Sequence, residues 1–223
     1  TLNRPDQGNR LTGQVFETLL GYLERLGDTD RFQVLLLRAE GPDFSLGRVP
    51  ASAPSATAAE LQEEFRRVQR CNKALARFPG VSIAAVQGRA LGAGCSLAGR
   101  CDVVIAAEDA RFGFPEVRQG IPPTIVISYY GKVLPRKAFV DLVLTGREIT
   151  AHEALQLGLI SRIAPAAELE QQARALAEEL LQRDAQTLRV CKRLLSRLDR
   201  LAVEDAADYG IALLANAQAS RQP

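Results

Sequence analysis

Methionine and tryptophan are both absent from this 223-residue chain, and His152 is the only histidine. Aromatic residues make up only 5% of it. A zinc site is disfavoured by that lone histidine and by four cysteines, Cys71, Cys95, Cys101 and Cys191, none in C-x-x-C spacing. They read instead as reduced thiols of an intracellular protein, with no metal expected. No apolar run approaches the roughly 20 residues that cross a bilayer, and the first residues are no secretory leader. A cytoplasmic protein with no membrane partner is the expectation. Charge of one sign is not in excess: 28 basic against 26 acidic residues leave a net +2, so no nucleic-acid partner is expected. Gly-Lys-Ser/Thr does not occur, which excludes a P-loop. The chain opens at Thr1 inside what reads as a strand, so its beginning reads as trimmed, and no fixed-period repeat is seen.

What is present is a 47% hydrophobic composition, enough for a sizeable core. Asn3–Asn9 is turn chemistry. Thr12 can cap a helix through Leu26, with Val15, Leu19, Leu20 and Leu23 on one face. Phe32–Arg38 reads as a buried strand, Gly41–Pro50 as a loop, Ala51–Ala58 as a small, polar, mobile stretch, and Glu60–Phe78 as a helix. Strands are expected at Ser82–Val86 and Val103–Ala106. Helices at Arg136–Leu144 and Ala151–Leu157 are stopped by Gly146 and Gly158, so Val133–Ile163 reads helix–strand–helix–strand. Past Ala167 the composition turns to Ala, Leu, Gln, Glu and Arg. Helices fit Glu168–Gln182, Ala185–Leu195 and Ala202–Ala219. The expectation is an α/β core over residues 1–165 and a helical region over 166–223 whose leucines cover either its own core or a subunit interface.

Chemistry concentrates between Val81 and Gly120. An apolar strand enters the turn Gly88-Arg-Ala-Leu-Gly92-Ala-Gly94, and a short helix starts inside it. A dinucleotide fingerprint would need a third small residue where Leu97 stands and an acid about 20 residues on. The alternatives left are a plain tight turn, or a turn whose glycines let backbone approach a ligand while the Ala93 N–H faces it. A second loop, Phe44-Ser45-Leu46-Gly47-Arg48, follows a buried strand, where α/β sheets place ligands. Glu116, after Phe114-Pro115, is a lone carboxylate in apolar company. Burial there would raise its pKa toward acid/base use; the bland reading is a helix-start carboxylate. Backbone donors beside one carboxylate suggest proton chemistry next to a thioester carbonyl. His152 reads as solvated, Tyr129 and Tyr130 as packing or as phenols at the site, and the Arg48 cation as solvated or as a phosphate contact.

These residues resemble the crotonase (enoyl-CoA hydratase/isomerase) superfamily. The resemblance runs from Leu2-Asn3-Arg4-Pro5 and Asn9 through FSLGR, AAVQGRALGAG, CDVVIAAEDARFGFPE and GIPP to LTGREITAHEAL and LGLISRI. It implies a spiral of ββα units with a C-terminal helical region, assembled as a homotrimer or dimer of trimers, with the last helix cut short at Pro223. It implies an acyl-CoA thioester substrate and no separate cofactor, coenzyme A being part of the substrate. By resemblance, the oxyanion hole is the backbone N–H of Arg48 and of Ala93, where many members have glycine. Leu46, Gly47, Gly92 and Gly94 would bind substrate or coenzyme A. The catalytic positions are Glu116 and Ser96. Hydratases usually carry a second glutamate at the latter position, and Val49 also departs from a common acid. Hydration of a 2-enoyl-CoA is expected first. Double-bond isomerisation on the single carboxylate Glu116 is the alternative, and a non-catalytic acyl-CoA-binding relative the third.

Overall fold

The computed structural model describes residues 1–27, 29, 31–49 and 56–220. The stretch expected to be mobile, Ala51–Ala58, falls largely outside the described residues, as does the end of the Gly41–Pro50 loop. After a 3-10 turn at Pro5–Gln7, the chain forms α1 (Gly13–Gly27), β1 (Val34–Leu37), α2 (Ala58–Arg77), β2 (Val81–Val86), β3 (Arg89–Leu91) and α3 (Ala93–Ala98). It continues with β4 (Val103–Ala107), β5 (Arg111–Gly113), α4 (Thr124–Tyr130), α5 (Arg136–Thr145), β6 (Glu148–Thr150), α6 (Ala151–Gln156) and β7 (Arg162–Ala164). The helices α7 (Leu169–Leu181), α8 (Ala185–Leu195) and α9 (Val203–Ala219) follow.

Each turn of the chain lays one strand in each of two sheets. The larger sheet, ordered β1-β2-β4-β7, is parallel throughout. The smaller one, β3-β5-β6, begins parallel and ends with an antiparallel strand. Single parallel bridges extend the same pattern to chain that is too short to ladder: Leu2 to Ala39, Leu11 to Arg48 and Ser45 to Ala90. Every turn therefore stacks on the one before it, and the result is the expected spiral. Parallel stacking with helical returns buries both faces of the large sheet. That is why β2, VSIAAV, is apolar almost without break, Ser82 being the exception. Ser82 is accommodated because its Oγ and N–H both donate to Asp102 Oδ2 at 2.7 Å.

The helices form where the sequence supplies both a cap and a face. Thr12 Oγ1 accepts the Val15 N–H at 3.3 Å to start α1, which buries Phe16, Leu20 and Leu23. Thr57 and Glu60 close a reciprocal capping box at the head of α2, which starts two residues before the position expected from periodicity. Gly146 and Gly158, both left-handed, follow α5 and α6 as expected. The segment 133–163 is helix, strand, helix, strand. The first strand is shorter and less buried than expected: β1 is Val34–Leu37, only Leu37 is fully buried, and Phe32 is 45% exposed. Helix α7 sends Leu169, Ala173 and Leu176 into the core formed by the sheets, whereas α8 and α9 pack mainly on one another. Phe44, Phe112 and Phe114 are fully buried in that core, each contributing about 1.5–3 kcal/mol of transfer free energy.

Candidate active site

Two loops meet through glycines. Leu11 N–H donates to Gly47 O at 2.9 Å and Val49 N–H to Leu11 O at 3.0 Å, so the bridge engages the residues flanking Arg48 and leaves the Arg48 N–H outside it. The other loop is drawn in by Leu91 N–H to Ser45 O at 2.9 Å and Gly92 N–H to Gly113 O at 2.8 Å. Gly92 has φ 53° and ψ −121°, a conformation that side chains resist, and it caps α3. Ala93 is then the first residue of α3, where an N–H has no helical carbonyl to bind. A Cβ on Gly94 would lie 2.6 Å from Ser45 Cβ, and one on Gly47 would lie 3.9 Å from Ala93 N. Only backbone without side chains allows such an approach, and it sets Arg48 and Ala93 on one cavity wall.

The cavity holds about 320 Å³. Leu46, Gly47, Arg48, Gly92, Ala93, Ser96 and Glu116, all singled out in the sequence, line it. Gly94 is at the loop junction instead. Sequence reasoning missed much of the remaining lining: Phe65, Val68 and Asn72 of α2, the 121–126 segment leading into α4, and Arg10. Residues 65, 68 and 72 are spaced three and four apart, a helical face that the pattern could have revealed.

Glu116 stands on a 3-10 helix, Pro115–Gln119. Its Oε1 would be 2.8 Å from a Cβ on Gly92, so the carboxylate rests directly on the glycine turn. Its Oε2 is buried with no hydrogen-bond partner. Burial pushes its carboxyl above the usual range, opposed by its own backbone amide and by the charge of Arg48. Ser96 Oγ is also buried and unpartnered.

The family model for enoyl-CoA hydratase/isomerase matches residues 1–221. The chain belongs to the enoyl-CoA hydratase/isomerase family. A Thermus thermophilus relative assigned as an enoyl-CoA hydratase is 35% identical over 97% of this chain and 86% of its own. The 2,3-dehydroadipyl-CoA hydratase of Escherichia coli is 35% identical over 92% of this chain and 80% of its own. Among solved structures, a Thermobifida fusca protein assigned as an enoyl-CoA hydratase and crystallised with CoA superposes with a TM-score of 0.87 at 30% identity, over 97% of this chain and 87% of that one.

In this member of the hydratase/isomerase family the Arg48 cation is neither solvated nor free for a phosphate, contrary to both expectations. It pairs with Glu64 of α2 and its guanidinium lies 4.9 Å from the centre of the Phe65 ring. The pairing follows from burial: the Glu64 side chain is only 8% exposed, and a carboxylate there requires a cation. Tyr130 is core packing whose hydroxyl donates to Ser96 O at 3.2 Å. His152 is exposed, as expected. Cys71, Cys95 and Cys101 are buried and free, and Cys191 is exposed and free. No helix among the described residues is long and apolar enough to cross a membrane.

Proposed function

We propose that this protein binds an acyl-CoA thioester with its carbonyl oxygen between the Arg48 and Ala93 amides, and hydrates a 2-enoyl-CoA with Glu116 as acid/base. The observation that carries this reading is the buried, unpartnered Glu116 Oε2 on the wall that the two loops share. Negative charge collects on the thioester oxygen as water adds to the β-carbon. Fixed amide dipoles that await it lower the barrier by about 3–4 kcal/mol per donor. Glu116 takes the proton from the attacking water, oriented by Ser96 Oγ, and returns a proton to the α-carbon. Serine can hold that water but cannot take its proton at neutral pH, so the proton inventory rests on one carboxylate.

That same feature favours isomerisation as the second reading. A single carboxylate suffices to remove a proton from the α-carbon of a 3-enoyl-CoA and return it to the γ-carbon. Incubation with crotonyl-CoA and with 3-hexenoyl-CoA separates the two. Loss of enoyl-thioester absorbance on the first supports hydration, and its appearance from the second supports isomerisation. Glu116→Gln is expected to cut turnover by roughly 10²–10⁴-fold with acyl-CoA affinity nearly kept. No turnover of either compound by the unaltered protein, with CoA binding intact, would establish the non-catalytic reading instead. For assembly we propose a homotrimer or a pair of trimers, supported by the apolar side chains left exposed on α8 and α9: Leu195, Val203, Ile211 and Leu214.

A further inference from the structure

Arg48 and Glu116 line the same cavity, yet Glu116 Oε2 is buried there without a hydrogen-bond partner. The Arg48 guanidinium donates to Glu64 of α2 instead and lies 4.9 Å from the centre of the Phe65 ring. Glu64 is buried and stands outside the cavity lining. One cation thus has two carboxylates within its field, and Glu64 holds it. The Arg48 charge reaches Glu116 only through space, as one of two influences that oppose the effect of burial. The other ionisable groups around Glu116 are engaged elsewhere, exposed or neutral. Arg10, on the cavity wall, is exposed and donates to Leu46 O at 3.0 Å. Arg118, on the same 3-10 helix as Glu116, donates to Thr145 O at 3.2 Å. On α5, which packs against that helix, Asp141 pairs with Arg147, and Arg136 and Lys137 are exposed. Cys95 of α3 is neutral, because burial pushes its thiol up.

Stability alone does not explain such a pair. Desolvating two charges offsets most of their attraction, and apolar side chains of the same volume often serve as well. Its placement points to the reaction instead. A guanidinium on a long flexible stem forms strong two-pronged bonds with a carboxylate in reach. Seated on Glu116, it would hold that group ionised and occupy the lone pairs that must take a proton. Glu64 and the Phe65 face keep it turned toward α2. The same tether restrains residue 48, whose amide is assigned above to the thioester oxygen. We propose that Glu64 is a positioning residue for the reaction: it holds the Arg48 guanidinium against α2, so that Glu116 keeps its lone pairs free and feels the cation only from a distance. The proposal rests on the reading of Glu116 as the acid/base, and its first test does not require turnover.

The test is a carbon-13 NMR titration of the full chain carrying glutamate labelled at the side-chain carboxyl, with the Glu116 signal identified by its loss in Glu116→Gln. Glu64→Gln keeps an acceptor for Arg48 but leaves the cation unbalanced. The Glu116 titration midpoint is then expected to fall by about half a pH unit or more. Adding Arg48→Gln removes the cation as well, and the midpoint is expected to rise above that of the unaltered protein. This double variant leaves neither member of the pair charged, so it reads the cation's influence even where Glu64→Gln alone fails to fold. A role confined to packing gives no such reversal. In turnover of crotonyl-CoA or 3-hexenoyl-CoA, Glu64→Gln is expected to lower kcat about two- to tenfold through a weaker base, with hexanoyl-CoA affinity kept. A midpoint unmoved in both variants, or moved the same way in both, overturns the proposal. Midpoints displaced as expected without turnover of either thioester would count against the catalytic reading alone.

Discussion

Glu116 holds its charge against a desolvation cost, and this links activity to stability in opposite directions. Its carboxyl titrates above the ordinary range because burial favours the neutral form. The folded state therefore gains from this group below the unfolded-state pKa, and loses that gain as pH rises through the higher folded pKa. Above the raised folded-state pKa the ionised side chain weakens the fold, so Glu116→Gln is expected to raise Tm there while sharply lowering turnover. The gain should be about 2–4 °C per kcal/mol of desolvation relieved, and it should vanish in acid where Glu116 is already neutral; thermal unfolding at pH 4 and pH 7.5 checks it. The acidic limb of kcat/KM for crotonyl-CoA should lie correspondingly above the ordinary carboxylate pKa, because the base must be ionised. Gly92→Ala tests the same contact from the other side. The new Cβ would displace Glu116 Oε1 and sit in a backbone conformation alanine resists, so activity should fall at least about tenfold with a stability loss of about 1–3 kcal/mol. At this scale the sequence was legible for a definite reason. Glu116 is a lone acid among apolar neighbours, and the proposed donors are main-chain groups announced by glycines. The Arg48–Glu64 pair was not legible, because nothing in local spacing joins residues 16 apart across a loop and a helix.

Elements were readable where they were long enough to show a period. Helices α1, α2, α5, α7, α8 and α9 came within a few residues of their expected limits, since each carries an amphipathic face over ten residues or more. Of the three-residue strands, β6 and β7 were expected in the helix–strand–helix–strand reading of Val133–Ile163, but β3 and β5 were not. β3 was read as part of a glycine turn, and β5 was not anticipated, because three residues show no alternation and their pairing is decided by the turn stacked beneath them. Helix α4 was also missed: TIVISYY is β-branched and aromatic, and tertiary packing overrides that preference. The junction of α3 with the Ser45 loop yields a prediction at this scale. In Gly94→Ala the added methyl meets the Ser45 backbone oxygen at 2.7 Å, an atom that cannot swing away. The loops should separate, with a loss of roughly 1–3 kcal/mol in urea unfolding and a fall in kcat greater than any change in acyl-CoA affinity.

For the molecule as a whole, exposed apolar side chains are scattered, and several of them recur on the helices at the end of the chain. Val203 is 86% exposed, and Ile211 and Leu195 are each 66% exposed, on helices that bury little against the core. A surface of this kind marks an interface. Light scattering on a size-exclusion column should give a mass near three times 24.2 kDa, or a multiple of that. Ile211→Asp should shift it toward a single chain, whereas a single-chain mass for the unaltered protein would refute the trimer.

The stacked strands also set an order of events during synthesis. β7 joins the large sheet beside β4, yet it lies more than fifty residues further along. Until Arg162–Ala164 emerges, β4 presents a raw row of amides and carbonyls flanked by valine and isoleucine. Such a row is a template for neighbouring nascent chains, so any translation product ending before Arg162 should be prone to aggregate even with Glu116 and both glycine loops already in place.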